Sequence, residues 1–362
     1  MIYTKTMELA GSSYEIGKRL GNLTATIPPL MASQASGFQG LDKEQVQKAI
    51  TCFDRWCPGL SEELEGFADA LSIDPVKVTF YAMTYLVPRC SQMLVSPQKS
   101  TNGHTLLARN YEFNHNFDDF ALVRTGIEGK YTHLGTGVTL FGRDEGINEC
   151  GLAVTMSSCG LPVGALEKMR RPALAGLQYW AAIRALLENC KDVEEALAYL
   201  KDMPIAFNVN LTVADKAGNA ALIETMDGRM AVQKLGEAGY LAATNHVVIP
   251  ELKAYEPFVM GHSAKRLEVV EQMMDDKDKI SMDDLKELQL RHYPEGLCSH
   301  YYEDFFGTTK SIVMDVTSGT LDICWAGLEK NGWQSYKVSE PLAEGLMPKD
   351  IEMKRAPKDF FG

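Results

Sequence analysis

Cys90-Ser91-Gln92-Met93-Leu94-Val95-Ser96, a turn from Pro97, then Gly103-His104-Thr105-Leu106-Leu107-Ala108-Arg109-Asn110-Tyr111-Glu112-Phe113 is the stretch that decides the fold. A cysteine opens a run of strand-forming residues. The chain turns, and a second strand brings back Arg109, Asn110 and Glu112. Such a hairpin sets the cysteine and the returning polar residues across one ladder.

Upstream of Cys90 the first ninety residues read as helical. Ser12 with Glu15 is a capping box for a helix through Ile16, Leu20 and Leu23. Asp42 to Trp56 carries apolar residues at helical spacing. Ser61 is positioned to cap the next helix, and Asp74-Pro75 to start another that Pro88 stops. Downstream, short strands joined by tight turns alternate with helices over Pro172–Glu188, Val193–Lys201, His262–Met274 and Met282–Leu290. Gly146-Ile147-Asn148-Glu149 reads as a turn by composition. Directly joined strands favour antiparallel sheets. The expected fold class is α+β, a four-layer αββα sandwich with two mainly antiparallel sheets. The expected organisation is a helical segment 1–89, a catalytic domain 90–340, and a tail 341–362 that either wraps the body or is poorly ordered.

Composition sets bounds. The 362 residues are 45% hydrophobic and carry a net charge of −12, so the overall field disfavours nucleic acid and anionic lipid as partners. No stretch reads as a leader or a membrane span, and the expected location is the cytoplasm. The eight cysteines are scattered, with no CxxC pair and no cysteine–histidine cluster at zinc spacing. No metal or cofactor is expected.

Several segments carry a resemblance. Cys90 to Phe113, Gly11-Ser12-Ser13-Tyr14-Glu15-Ile16-Gly17, Gly146-Ile147-Asn148-Glu149-Cys150-Gly151-Leu152-Ala153 and Ala243-Thr244-Asn245-His246 resemble, in order and spacing, the choloylglycine hydrolase and penicillin acyltransferase-like group of N-terminal-nucleophile (Ntn) hydrolases. The resemblance implies an αββα Ntn fold and an internal Cys90 freed by self-cleavage after Arg89. A linear amide of the N-acyl class would be hydrolysed, or its acyl group transferred, through an acyl-enzyme on Cys90. Arg109 would stabilise the thiolate, Glu112 would orient the new α-amine, and Asn245 would donate to the oxyanion. Lys310 falls where the group has arginine, and Glu112 where it has aspartate. Ser157 and Ser158 replace an asparagine, which leaves them as the candidates for the second oxyanion donor.

Other readings stay open on the sequence. Phe113, Phe117, Tyr301 and Phe305 serve either core packing or an acyl pocket. Lys310 is a site cation or a solvated lysine. Cys159, in Ser157-Ser158-Cys159-Gly160, is the rival nucleophile. The alternative to an enzyme is a non-catalytic binding protein or stalled precursor that keeps the fold. A homo-oligomer is compatible with the composition.

Overall fold

The computed structural model describes residues 1–28, 43–75, 88–160, 171–358 and 360. Two sheets form its centre. The larger has nine strands, in chain order β1 Ile2–Gly11, β4 Ala121–Ile127, β5 His133–Val138, β6 Gly142–Asn148, β7 Leu152–Ser158, β8 Val209–Asp215, β9 Ala220–Met226, β10 Arg229–Lys234 and β16 Gly345–Lys349. The smaller is built from β2 Arg89–Val95, β3 Leu106–Phe113, β11 Tyr240–Ala243, β12 His300–Tyr301, β13 Phe306–Asp315, β14 Thr320–Trp325 and β15 Gln334–Lys337. Every pairing is antiparallel except β1 with β4.

Side-chain alternation makes the layers. Leu94 and Leu107 of the small sheet share an inter-sheet core with Leu122, Leu134, Ile147 and Leu222 of the large one. Their neighbours Met93, Val95, Leu106 and Ala108 face the other way, onto Val270, Met274, Leu285 and Leu288. Those four belong to α6 Gly261–Asp276 and α7 Met282–Leu290. The outer face of the large sheet is covered by α1 Ser13–Ala25, α2 Lys43–Trp56, α3 Leu60–Leu71, α4 Tyr179–Asn189 and α5 Val193–Leu200. The result is an αββα sandwich.

The first ninety residues are not all helical. β1 lies between β4 and β16, so the N-terminal segment supplies a strand to the large sheet. Its buried alternate positions include Thr4 and Thr6 beside Ile2, which hides the apolar period. The tail wraps, because β16 pairs with β1. Ser12 caps α1 with the full capping box. Ser61 does not cap: Gly59, at φ 87°, holds that position, and Ser61 donates to Asp54 instead. Gly146 to Asn148 is strand rather than turn. Gly146 lies opposite Gly135 because an added Cβ would meet the Leu134 carbonyl oxygen at 2.7 Å. The helix read from Pro172 begins only at Tyr179. The helix read from Asp74 to Leu86 falls largely outside the described residues.

The N-terminal segment is clamped by close backbone approach and buried charge. A Cβ on Gly17 of α1 would sit 1.8 Å from the Glu63 carbonyl oxygen of α3. Arg184 of α4 donates to both Glu63 and Glu188, and to the Phe141 carbonyl at 2.8 Å. Lys130 adds a second cation on Glu188. Such an ion network, once formed in the interior, is costly to break on one side. Among the described residues no helix is long and apolar enough to cross a membrane.

Candidate active site

The hairpin of β2 and β3 sets Cys90 opposite Tyr111, Gln92 opposite Arg109, and Arg89 opposite Glu112. Because strand side chains alternate, Cys90, Gln92, Arg109 and Tyr111 point between the sheets. Arg89, Asn110 and Glu112 point toward the helical layer. The site is therefore split across one sheet.

On the inter-sheet side Cys90 is fully buried, and Arg109 donates Nη2–H to its Sγ at 3.0 Å. Arg109 also donates to the Glu145 carboxylate and to the Asp144 carbonyl at 3.2 Å, both on β6. Lys310 is buried rather than solvated. It pairs with Asp144 at 2.8 Å and Asp118 at 3.1 Å, and its ammonium lies 4.2 Å from the Tyr111 ring centre. Burial pushes the Cys90 thiol up to about 11, against the downward pull of Arg109. At neutral pH the group therefore rests as a thiol. Burial likewise raises the Asp144 carboxyl to about 7, opposed by Lys310.

On the helical side Glu112 accepts from Arg266 Nη1 at 3.4 Å and from Thr308 Oγ1 at 3.4 Å. Burial lifts its carboxyl to about 7, with Arg266 and Arg109 pulling it down. Burial, with Arg266 nearby, lowers the Arg89 guanidinium to about 10, and its Nη1 has no hydrogen-bond partner among the described residues. Asn245 follows β11, which pairs with β2. Its Oδ1 accepts from the Cys90 backbone N–H at 3.2 Å and from Arg266 Nη2 at 2.6 Å. Its Nδ2 donates to the Ser158 carbonyl at 2.8 Å. The Ser158 hydroxyl donates to the Pro88 carbonyl. Ser157 lies one step along β7, receives Gln92 Nε2–H at 3.1 Å and donates to the Thr244 carbonyl. Asn245 and Ser158 thus both contact the chain around the Arg89–Cys90 bond.

The aromatic candidates divide. Phe113, Phe117 and Phe305 form one group with ring centres 5.8–6.2 Å apart, and Phe117 and Phe305 are about half exposed. Phe113 also meets Tyr111, the cross-strand neighbour of Cys90. Tyr301 lies against Phe360 instead. Cys159 is packed with Met226, Val247 and Leu252, donates to the Thr225 carbonyl, and burial lifts its thiol well above the usual range. A groove of about 650 Å³ runs between α6 and α7 on the outer surface, and none of the residues around Cys90 lines it.

Sequence reasoning missed Arg266, Asp144, Glu145, Asp118 and Gln92. The adjacent acids Asp144-Glu145 inside a strand were a usable signal. Arg266 was not readable, since it meets Glu112 from 154 residues away.

A sequence model of the family "acyl-coenzyme A:6-aminopenicillanic acid acyl-transferase" matches residues 99–330, more than half of the chain. No curated protein matches it by sequence. Among solved structures, a variant of conjugated bile acid hydrolase from Clostridium perfringens superposes with a TM-score of 0.51 at 14% identity. That match covers 73% of this chain and all of the other. Penicillin V acylase from Agrobacterium tumefaciens matches with a TM-score of 0.44 at 16% identity, over 66% of this chain and 83% of that one. The Caenorhabditis elegans ortholog of N-acylethanolamine-hydrolyzing acid amidase gives 0.43 at 16%, over 63% and 93%. The first of these supports the shared sandwich.

Proposed function

This chain belongs to the acyl-coenzyme A:6-aminopenicillanic acid acyl-transferase family, and from that footing we propose that it is a self-processing cysteine amide hydrolase or acyltransferase working through Cys90. The observation that carries this reading is the arrangement at one residue. The Cys90 Sγ receives an arginine N–H at 3.0 Å while its backbone N–H is held by Asn245 at 3.2 Å.

Maturation starts with Cys90 Sγ attacking the Arg89 carbonyl. The C–S bond forms, the C–N bond breaks, and the proton goes to the departing amine. Water then hydrolyses the thioester, leaving the Arg89 carboxylate and a free Cys90 thiol. The new α-amine, ordinarily at a pKa of about 7.7–8.0, is the base that the buried thiol lacks. In turnover the amine takes the thiol proton and the sulfur attacks the substrate amide. Asn245 Nδ2, released from the Ser158 carbonyl, donates to the oxyanion, and the Ser158 hydroxyl is the second donor. The α-amine returns the proton to the leaving amine. Water or an acceptor amine then takes the acyl group.

Glu112 lies across the ladder from Arg89, and Arg266 ties it to Asn245. Loss of the Arg89 peptide link lets the amine turn toward that carboxylate, which orients it. Glu145 and Asp144 of β6 hold Arg109 from the large sheet, and Lys310 of β13, paired with Asp144 and Asp118, lies against the Tyr111 ring. The half-exposed Phe117 and Phe305 with Phe113 supply apolar surface suited to an acyl chain. The substrate class is a linear N-acyl amide of small-molecule size.

A thiol-reactive amide mimic tests this assignment. It is expected to label Cys90 in preference to the other seven cysteines, and a Cys90→Ala chain is expected to lose both label and turnover. Equal labelling across the cysteines would instead mark a binding protein that keeps the fold, and labelling at Cys159 would move the nucleophile there.

A further inference from the structure

Residues 291–298 form a loop closed on itself by backbone hydrogen bonds. Gly296 N–H donates to the His292 carbonyl at 2.8 Å, Tyr293 N–H to Cys298 at 2.8 Å, and Cys298 N–H to Arg291 at 2.9 Å. The closure sets His292 directly beside Cys298. Cys298 and His300 are two apart on extended chain, so their side chains share a face. One ligand atom from each of His292, Cys298 and His300 then lies within 4.8 Å of the others. Cys298 Sγ is 3.8 Å from His300 Nε2, and the two imidazole centres are 4.9 Å apart. A Glu352 oxygen, from the tail, lies 4.0 Å from the same Nε2.

We propose that His292, Cys298 and His300 form a binding site for a zinc-class divalent ion, with Glu352 in reach as the fourth ligand. Imidazole, thiolate and carboxylate are the donor set such an ion takes. Its bond lengths of about 2.0–2.3 Å put ligands roughly 3.5 Å apart in a tetrahedron. The Cys298–His300 pair already meets that spacing. His292 is exposed, and a side-chain rotation would close the remaining distance.

A second observation points the same way. His300 is completely buried, and its Nδ1 has no hydrogen-bond partner among the described residues. Among the described residues its Nε2 has only the sulfur and the distant Glu352 oxygen as partners. A metal on Nε2 would replace that weak sulfur contact with a coordinate bond and leave the ring proton on Nδ1. Cys298 is also buried and gives its thiol hydrogen to the Gly327 carbonyl at 3.4 Å. On binding, the sulfur–hydrogen bond breaks, the proton leaves to solvent, and the thiolate ligates the ion.

Sequence spacing argued against a metal because the three residues match no standard motif; loop closure assembles them. The ion would staple the loop to the tail, whose Lys354 N–H already donates to the His300 carbonyl at 2.9 Å. Ser299, between two of the ligands, receives the backbone of Thr308 at 2.7 Å and gives its own N–H to the Thr308 hydroxyl at 3.0 Å. Thr308 in turn contacts Glu112. The site therefore braces the strand behind the proposed catalytic carboxylate.

The test is a cobalt titration of the full chain carrying Cys90→Ala, so that the proposed nucleophile cannot bind the ion. One Co²⁺ per chain with a thiolate-to-cobalt charge-transfer band is expected, and zinc should displace it. Cys298→Ser should abolish the band. His292→Ala, at an exposed position, should weaken binding by about tenfold or more. No charge-transfer band, or a band that His292→Ala leaves unchanged, would overturn the proposal.

Discussion

Two roles are proposed for Asn245, and its variants test both. Its Oδ1 accepts from a neutral amide and a guanidinium, and its Nδ2 donates to the Ser158 carbonyl. Asn245→Ala strands two buried donors and one acceptor. At about 1–3 kcal/mol for each unsatisfied buried group, the three together cost roughly 3–9 kcal/mol of stability. Asn245→Asp keeps both acceptor contacts and gains a charge facing Arg266, but loses the donor. It should unfold within about 1–3 kcal/mol of the unchanged protein, one lost hydrogen bond. Turnover should nonetheless fall about 10²–10³-fold, the usual loss when one oxyanion donor is removed. Urea unfolding reads the first quantity, and hydrolysis of a chromogenic N-acyl amide reads the second. An Asn245→Asp protein that turns over within a few-fold of the original would refute the oxyanion role. Equal destabilisation by Ala and Asp would refute the acceptor role.

Three other outcomes follow from the geometry. Glu63→Ala strips one acid from the buried Arg184 and should cost about 3–5 kcal/mol in chemical unfolding, with Glu63→Gln costing less; equal losses would mean that charge is irrelevant there. Gly17→Ala drives a methyl into the Glu63 carbonyl and should lower the melting temperature, whereas Gly236→Ala, with nothing within 4 Å of the added carbon, should not. Burial raises Glu112 to about 7 from an ordinary 4.5, so the folded state holds its proton longer than the unfolded chain. That contribution is full below about pH 4.5 and is lost as pH rises through about 7. Glu112→Gln should flatten the fall in urea midpoint across this window, and an unchanged slope would count against a buried, proton-holding Glu112.

The hairpin from Cys90 to Phe113 was legible because its signals are local: a strand period, a Pro–Gly turn, and polar residues at fixed offsets from a cysteine. The αββα layering followed from strands joined by short turns. What escaped was set by contacts across the fold. β1 alternates threonine with polar residues and is identified as a strand by its partners. Gly146 suggested a turn, yet its job is to let two strand backbones approach. Lys310 could be placed on its strand but not buried, because Asp118 and Asp144 reach it from other segments. Arg266 carried no local mark at all, yet it links Glu112 to Asn245.

Opening of the Arg89–Cys90 bond, which would give Cys90 its own base, is read by intact mass under denaturing conditions. Two species, residues 1–89 and residues 90–362, are expected from the unaltered protein, and one uncut species from Cys90→Ala. A single chain of 40.1 kDa from active, unaltered protein would contradict it.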